Sequence, residues 1–151
     1  MPCVKVINSG YNSPEDMMRL INYIISDEKH ETNGLIGGYM ILTGSPQYVY
    51  DQMMAVKNHY NKATGQFMRH VIVSPSEIVD VNLLYIIAMQ ICKLFPEYQS
   101  VFAIHLEKEI PHIHIGINTV PFVEANKLRI NLPALKLEIN RICSEYVPYM
   151  V

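Results

Sequence analysis

The chain has 151 residues, 50% of them hydrophobic, and a formal net charge of -2. That suits one domain with a real core, spanning residues 1–151, with no apolar run approaching the roughly 20 residues that cross a bilayer and no basic-then-apolar leader in the opening MPCVKVINSGYNS. Cys3, Cys92 and Cys143 form no CxxC pair and no disulfide framework, so a cytoplasmic location is expected, and the slightly acidic balance is not that of an ordinary nucleic-acid binder.

In chain order the expected elements are strand, helix, strand, helix, strand, helix, then a hairpin and a last helix. Ser13-Pro14-Glu15-Asp16 reads as a helix start, with Ser as cap, Pro at the first helical position and acids in the first turn. Met17, Leu20, Ile21, Ile24 and Ile25 follow at helical spacing and form one apolar stripe. GLIGGYMIL, residues 34–42, reads as a strand, and Ser45-Pro46 opens a second helix to about Asn61. FMRHVIVS, residues 67–74, reads as a strand. Residues from Pro75 to about Leu94 read as a helix with a buried apolar middle. Two apolar runs, 100–106 and 112–120, flank a polar EKEIP connection and give a hairpin. A last helix runs from Asn131 to about Tyr146. This order predicts an α+β fold, a sheet with helices covering it.

The hairpin carries the chemistry. In PHIHIGIN, alternation puts His112, His114, Gly116 and Asn118 on one face and Ile113, Ile115 and Ile117 on the other. Counting back through the turn brings His105 roughly opposite His112, so three imidazoles are expected to converge, with Gly116 leaving room for close approach to the sheet. Three neutral imidazoles on a rigid hairpin suit a metal site with open positions, able to stabilise charge on a phosphoryl group. Glu107 is placed to orient one ligand. A lone strand histidine more often decorates a solvated face, and that plainer reading applies to His30, His59 and His70. Tyr23, on the first helix, lies off the apolar stripe and shares its side with Arg19 and Asn22.

HLEKEIPHIHIGIN resembles the third motif of conjugative and mobilisation relaxases, members of the HUH endonucleases: a histidine, a nearby acid, then His-x-His followed by Asn. LINYIISDEKHE resembles their first motif, a helix carrying a nucleophilic tyrosine before an acid-Lys run. HVIVSPSE resembles the second, whose serine contacts the substrate strand and corresponds to Ser74. The three occur in the family's order, with Glu107 where the family commonly has Asp. The resemblance implies an antiparallel sheet with flanking helices, a ferredoxin-like palm. It implies a divalent cation, Mg²⁺ or Mn²⁺ (Zn²⁺ or Ni²⁺ in vitro), on His105, His112 and His114. It implies nicking and rejoining of single-stranded DNA at a plasmid transfer origin through a 5′-phosphotyrosine on Tyr23, with Glu107 assisting. Arg19, Arg69, Ser74 and Asn118 are the expected DNA contacts, and accessory mobilisation proteins and a coupling protein the expected further partners. Relaxases usually continue into further regions, so the chain is expected to be the nuclease domain alone.

Basic residues must gather on one side to offset the net charge; Lys127, Arg129, Lys136 and Arg141 form the locally basic stretch, and Arg19, Lys29 and Arg69 lie near the motifs. Rival readings are an HUH replication initiator and a non-catalytic metal- or DNA-binding remnant of a relaxase. Transposases of the same class place their tyrosine after the histidine pair. Histidine-triad hydrolases need a third alternating histidine where Gly116 stands, and two-histidine phosphoesterases need a repeated His-x-Ser/Thr that is absent.

Overall fold

A computed structural model describes residues 2–7, 9–26, 32, 34–76 and 79–146; Lys29, His30 and the acid-Lys run after Tyr23 lie outside them. Each described helix starts on a capping side chain. Ser13 accepts from Asp16 N ahead of α1 (Pro14–Ile25), and Ser45 from Tyr48 N ahead of α2 (Pro46–His59). Asp80 caps α3 (Val81–Cys92) through Asn82 N, and Asn131 caps α4 (Leu132–Glu145) through Ala134 N. These side chains satisfy amide donors that have no partner inside the helix. The third helix therefore begins at Val81, where Asp80 caps it, and not at Pro75.

The strands are β1 (Cys3–Ile7), β2 (Ile36–Tyr39), β3 (Met68–Ser74), β4 (Ser100–His105) and β5 (His112–Asn118). They form one antiparallel sheet in the order β1-β3-β5-β4-β2. The strand expected over 34–42 is shorter than predicted, because Met40 turns out of the ladder with φ of 57°. Element order and class agree with the sequence reading: an α+β domain with helices on both faces of a central antiparallel sheet. No helix of the described residues is long and apolar enough to cross a membrane.

Alternation divides the sheet into two faces. Val71, Val73, Phe102, Ile104, Ile113, Ile115 and Ile117 face α3 and α4 in the larger core. On the other face Met68, Val101 and Ala103 pack against Met17, Leu20, Ile21, Ile24 and Ile25 of α1 and Val49 and Met53 of α2. The residues of α1 that are buried are those of the predicted stripe. Burying each such side chain contributes roughly 1.5–3 kcal/mol, so the stripe dominates the docking of α1.

A polar clamp closes the far end of that second face. Lys57 is 1% exposed, and its ammonium donates to Phe67 O (2.6 Å), Asn118 Oδ1 (2.6 Å) and Thr119 Oγ1 (3.3 Å). Burial, helped by the charge of Lys127, pushes its pKa from 10.5 down to about 7. The unfolded chain therefore holds this proton between pH 7 and 10.5 while the folded chain gives it up. The cost of burying the charge is complete below pH 7 and vanishes above 10.5. Wild-type stability is expected to rise from pH 7 to pH 10 relative to Lys57→Met, by at most about 1.4 kcal/mol per pH unit. Urea denaturation of both proteins across that range measures it; a difference that stays constant with pH would show that the three oxygens hold the ammonium at its ordinary pKa.

Candidate active site

Neighbouring strands set their residues in rows across the second face. The first row reads Cys3, Ser74, His112, His105; the next Lys5, Ile72, His114, Ala103; the third Ile7, His70, Gly116, Val101. His105 is the register partner of His112, as the hairpin spacing predicts. α1 lies over β4 and β5, leaving the β1–β3 half of this face open. There a cleft of about 400 Å³ is lined by Cys3, Lys5, Tyr23, Ser74, His105, Glu107, Lys108, His112 and His114.

The end of α1 is fixed by one of these histidines. The last carbonyls of a helix have no partner inside it, and that of Ile24 lies 2.8 Å from His105 Nε2, which donates to it. This brings Tyr23, one residue earlier, edge-on to three imidazoles: His114 at 5.4 Å between ring centroids, His105 at 5.6 Å and His70 at 5.9 Å. Desolvation raises the Tyr23 pKa, and the negative charge of Glu107 raises it further. The phenol is thus protonated at neutral pH, and a nearby cation would be needed to favour its ionised form.

The rings do not point at one centre. His105 and His114 stack face to face, 4.1 Å between centroids, and His112 Nδ1 donates back to Ile110 O at 2.6 Å. Among the described residues no three His, Cys, Asp or Glu side chains form a group that could hold a metal ion as they stand. The donor set nevertheless suits a divalent cation, because the fold fixes two tautomers. With their protons given to Ile24 O and Ile110 O, His105 carries its lone pair on Nδ1 and His112 on Nε2. The carboxylate of Glu107 is 3.9 Å from His105 Nδ1.

His70, read from sequence as an ordinary surface histidine, belongs to this cluster. It is 3% exposed, its Nε2 is 3.0 Å from His114 Nδ1, and its Nδ1 is 3.1 Å from the hydroxyl of Tyr11. Burial, and secondarily the charge of His105, lowers its pKa to about 4. The signal was parity: His70 and Ser74 are four apart on one strand and share a face. The same parity corrects Arg69, which alternation turns to the opposite face, away from the histidines. Asn118 is corrected too. It is fully buried, donating to Met53 O and Gln99 Oε1 and accepting from Lys57 and Val120 N, so it braces the sheet and cannot reach DNA. Arg19 is exposed, ion-paired with Asp16, and lines a second cleft with Tyr11, Tyr23 and His70.

The model of the relaxase nuclease domain of MobA/VirD2 type matches residues 23–147. The chain belongs to that family. The relaxase resemblance carried by Tyr23, Ser74 and the hairpin histidines thus holds at family level, and relaxase nuclease domains are DNA-nicking endonucleases of mobilisation. A solved structure described as "Molecular Basis of Vancomycin Resistance Transfer in Staphylococcus aureus" is similar over 99% of this chain and 93% of its own, with a TM-score of 0.57 and 14% identity, a likeness of fold. No curated protein matches significantly.

In this relaxase domain the space beside Gly116 is taken by Met68 of β3 and Ile24 of α1. A Cβ there would lie 2.8 Å from Met68 Cε and 2.9 Å from Ile24 Cδ1. Both atoms end flexible side chains, so Gly116→Ala is expected to be absorbed better than Gly116→Val. The valine should cost about 1–3 kcal/mol as an overpacked core and lift Tyr23 from the imidazoles. Thermal unfolding of both variants measures the first effect and tyrosine fluorescence the second; a valine variant unchanged in both would mean that this contact does not set the height of α1.

Proposed function

We propose that this domain nicks and rejoins one DNA strand at a transfer origin, with Tyr23 as nucleophile. The observation that carries the reading is the edge of Tyr23 over His70, His105 and His114, at the mouth of a cleft that also holds Ser74, Glu107, Lys5 and Lys108. Tyr23 Oη forms a bond to the scissile phosphorus while the bond to the 3′-oxygen breaks. The phenolic proton passes by way of Glu107 to the departing oxygen, which leaves as a 3′-hydroxyl, and the 5′-phosphate stays on the tyrosine. Running the exchange backwards rejoins the strand. His105, His112 and His114 would hold the divalent cation, Mg²⁺ or Mn²⁺, which when bound neutralises charge on the phosphoryl oxygens.

The carboxylate of Glu107 opposes a resting phenolate and is a carboxylate base on the cleft wall, so it suits a proton carrier better than a permanent activator. Ser74 lies in the first row beside His112, where its hydroxyl is suited to a phosphate of the bound strand. Lys5 and Lys108 supply positive charge on the same wall, and Arg19 supplies it beside Tyr23. Accessory mobilisation proteins and a coupling protein remain proposed partners, and the domain is proposed to work as one nuclease unit.

A binding module without chemistry is the reading to be separated from this one. Single-stranded DNA of candidate origins, incubated with Mn²⁺ and run on a denaturing gel, is expected to give a covalent protein–DNA adduct with wild type and none with Tyr23→Phe. DNA binding equal in both proteins with no adduct in either would assign the domain to binding alone.

A further inference from the structure

Two groups behind the cleft are unused by that mechanism, and they make a continuous hydrogen-bonded line into it. Tyr11 Oη lies 3.1 Å from His70 Nδ1, and His70 Nε2 lies 3.0 Å from His114 Nδ1. A contact of that length between two ring nitrogens needs one shared proton, so the tautomers of His70 and His114 are tied together. His70 is 3% exposed and His114 6%, which shields the line from competing water. Its far end is held by backbone. Tyr11 sits at φ of 58° after Gly10 at 86°, and its carbonyl accepts from Phe67 N at 2.8 Å. A non-glycine residue in the left-handed region costs about 1 kcal/mol or more and persists only where its surroundings enforce it.

We infer that Tyr11 and His70 are positioning residues for the cation site: His114 Nδ1–H donates to His70 Nε2 and His70 Nδ1–H donates to Tyr11 Oη, so that the lone pair of His114 stays on Nε2. The inference rests on the reading of His114 as a metal ligand. In the reverse direction the tyrosine hydroxyl donates to His70, His70 donates to His114, and His114 then carries its proton on Nε2, a form that cannot ligate through that atom. The line thus has two directions, and only one is compatible with a cation on Nε2. Partners that orient ligating histidines in this way typically change metal affinity by 10–100-fold when removed. The first motif's tyrosine gains as well, since His70 and His114 are two of the three rings on which Tyr23 rests.

The test measures Mn²⁺ binding by calorimetry and the imidazole tautomers of the metal-free protein by ¹⁵N NMR. Wild type, Tyr11→Phe, His70→Leu and His70→Gln are compared. His114 is expected as the Nδ1–H tautomer in wild type. His70→Leu should lose that signature and bind Mn²⁺ at least about tenfold more weakly, and His70→Gln, whose amide oxygen still accepts, should recover most of the affinity. Tyr11→Phe removes one oxygen from a part-exposed ring, so it keeps the question open to measurement should the buried His70 variants fail to fold; it should weaken binding while lowering the melting temperature by only about 2–4 °C for each kcal/mol lost with the hydrogen bond. Equal affinity across the variants, or an Nδ1–H tautomer that survives in His70→Leu and Tyr11→Phe, would overturn the relay. A wild type that binds no Mn²⁺ would instead overturn the metal reading of the cleft, and the tautomer measurement would then decide the relay alone.

Discussion

The hydrogen bond from His105 to the carbonyl of Ile24 joins the nucleophile's helix to the floor beneath it. A neutral bond of this kind contributes only about 1 kcal/mol net, far less than the apolar stripe that docks α1. Its importance is directional. The stripe permits α1 to slide or roll along the sheet, since apolar contacts are tolerant of small shifts; a donor aimed at one carbonyl does not. It also commits one nitrogen of a cleft histidine, so the same contact that sets the height of Tyr23 sets the tautomer of His105. Helix position and site chemistry are thereby one constraint, and Gly116 lets the two surfaces meet at that distance.

The charge distribution follows from which face the helices cover. The basic stretch near the C-terminus does not line the cleft: Arg141 pairs with Glu138 and Glu145 on α4, and the Lys127 ammonium donates to Thr64 O in the loop after α2. Positive charge beside the cleft comes instead from Lys5, Lys108 and Arg19, on three separate elements, with Arg19 already paired to Asp16. A few partly compensated cations give a modest electrostatic contribution to DNA binding. On this balance, discrimination in favour of the reacting phosphate has to come from the histidine cluster and its cation rather than from a broad basic surface.

Local pattern made much of this legible. The α1 stripe, the four helix order, the hairpin register that opposes His105 to His112, and the off-stripe position of Tyr23 are all set by periods of 3.6 and 2, which act over a few residues. What was not legible depends on long-range pairing. His70 meets His114 only because β3 lies beside β5 in a register that sets Ile72 against His114, and no spacing within either segment fixes that register. Tyr11 reaches His70 from a loop whose conformation rests on Gly10 and on a bond to Phe67. The misplacement of Arg69 is different in kind: alternation, applied to β5, had only to be applied to β3 as well. Asn118 shared the right face, but α2 brings Lys57 over it, and a buried amide with four partners has no capacity left for a ligand.

The cluster also has a cost that the rest of the fold must offset. His70, His105 and His114 are nearly buried, on a face that also carries Met68, Ile72, Val101 and Ala103, where apolar side chains would pack without desolvation loss. They are tolerated because each is hydrogen-bonded, to a helix carbonyl, to one another or to a tyrosine, and burial lowers the pKa of His70 to about 4. Such a network is stable only when every member is satisfied, since one missing partner leaves a buried polar group at a cost of about 1–3 kcal/mol. That requirement explains why the polar rows lie at the edge of α1 and not beneath its centre. Farther in, Met68, Val101 and Ala103 meet the stripe and supply the stability; nearer the open half, a polar floor can be fully bonded on its inner side and still present imidazole to a ligand on the other. The boundary between core and site falls where α1 ends, at Ile25, the last residue of its docking stripe and two residues past the tyrosine it carries.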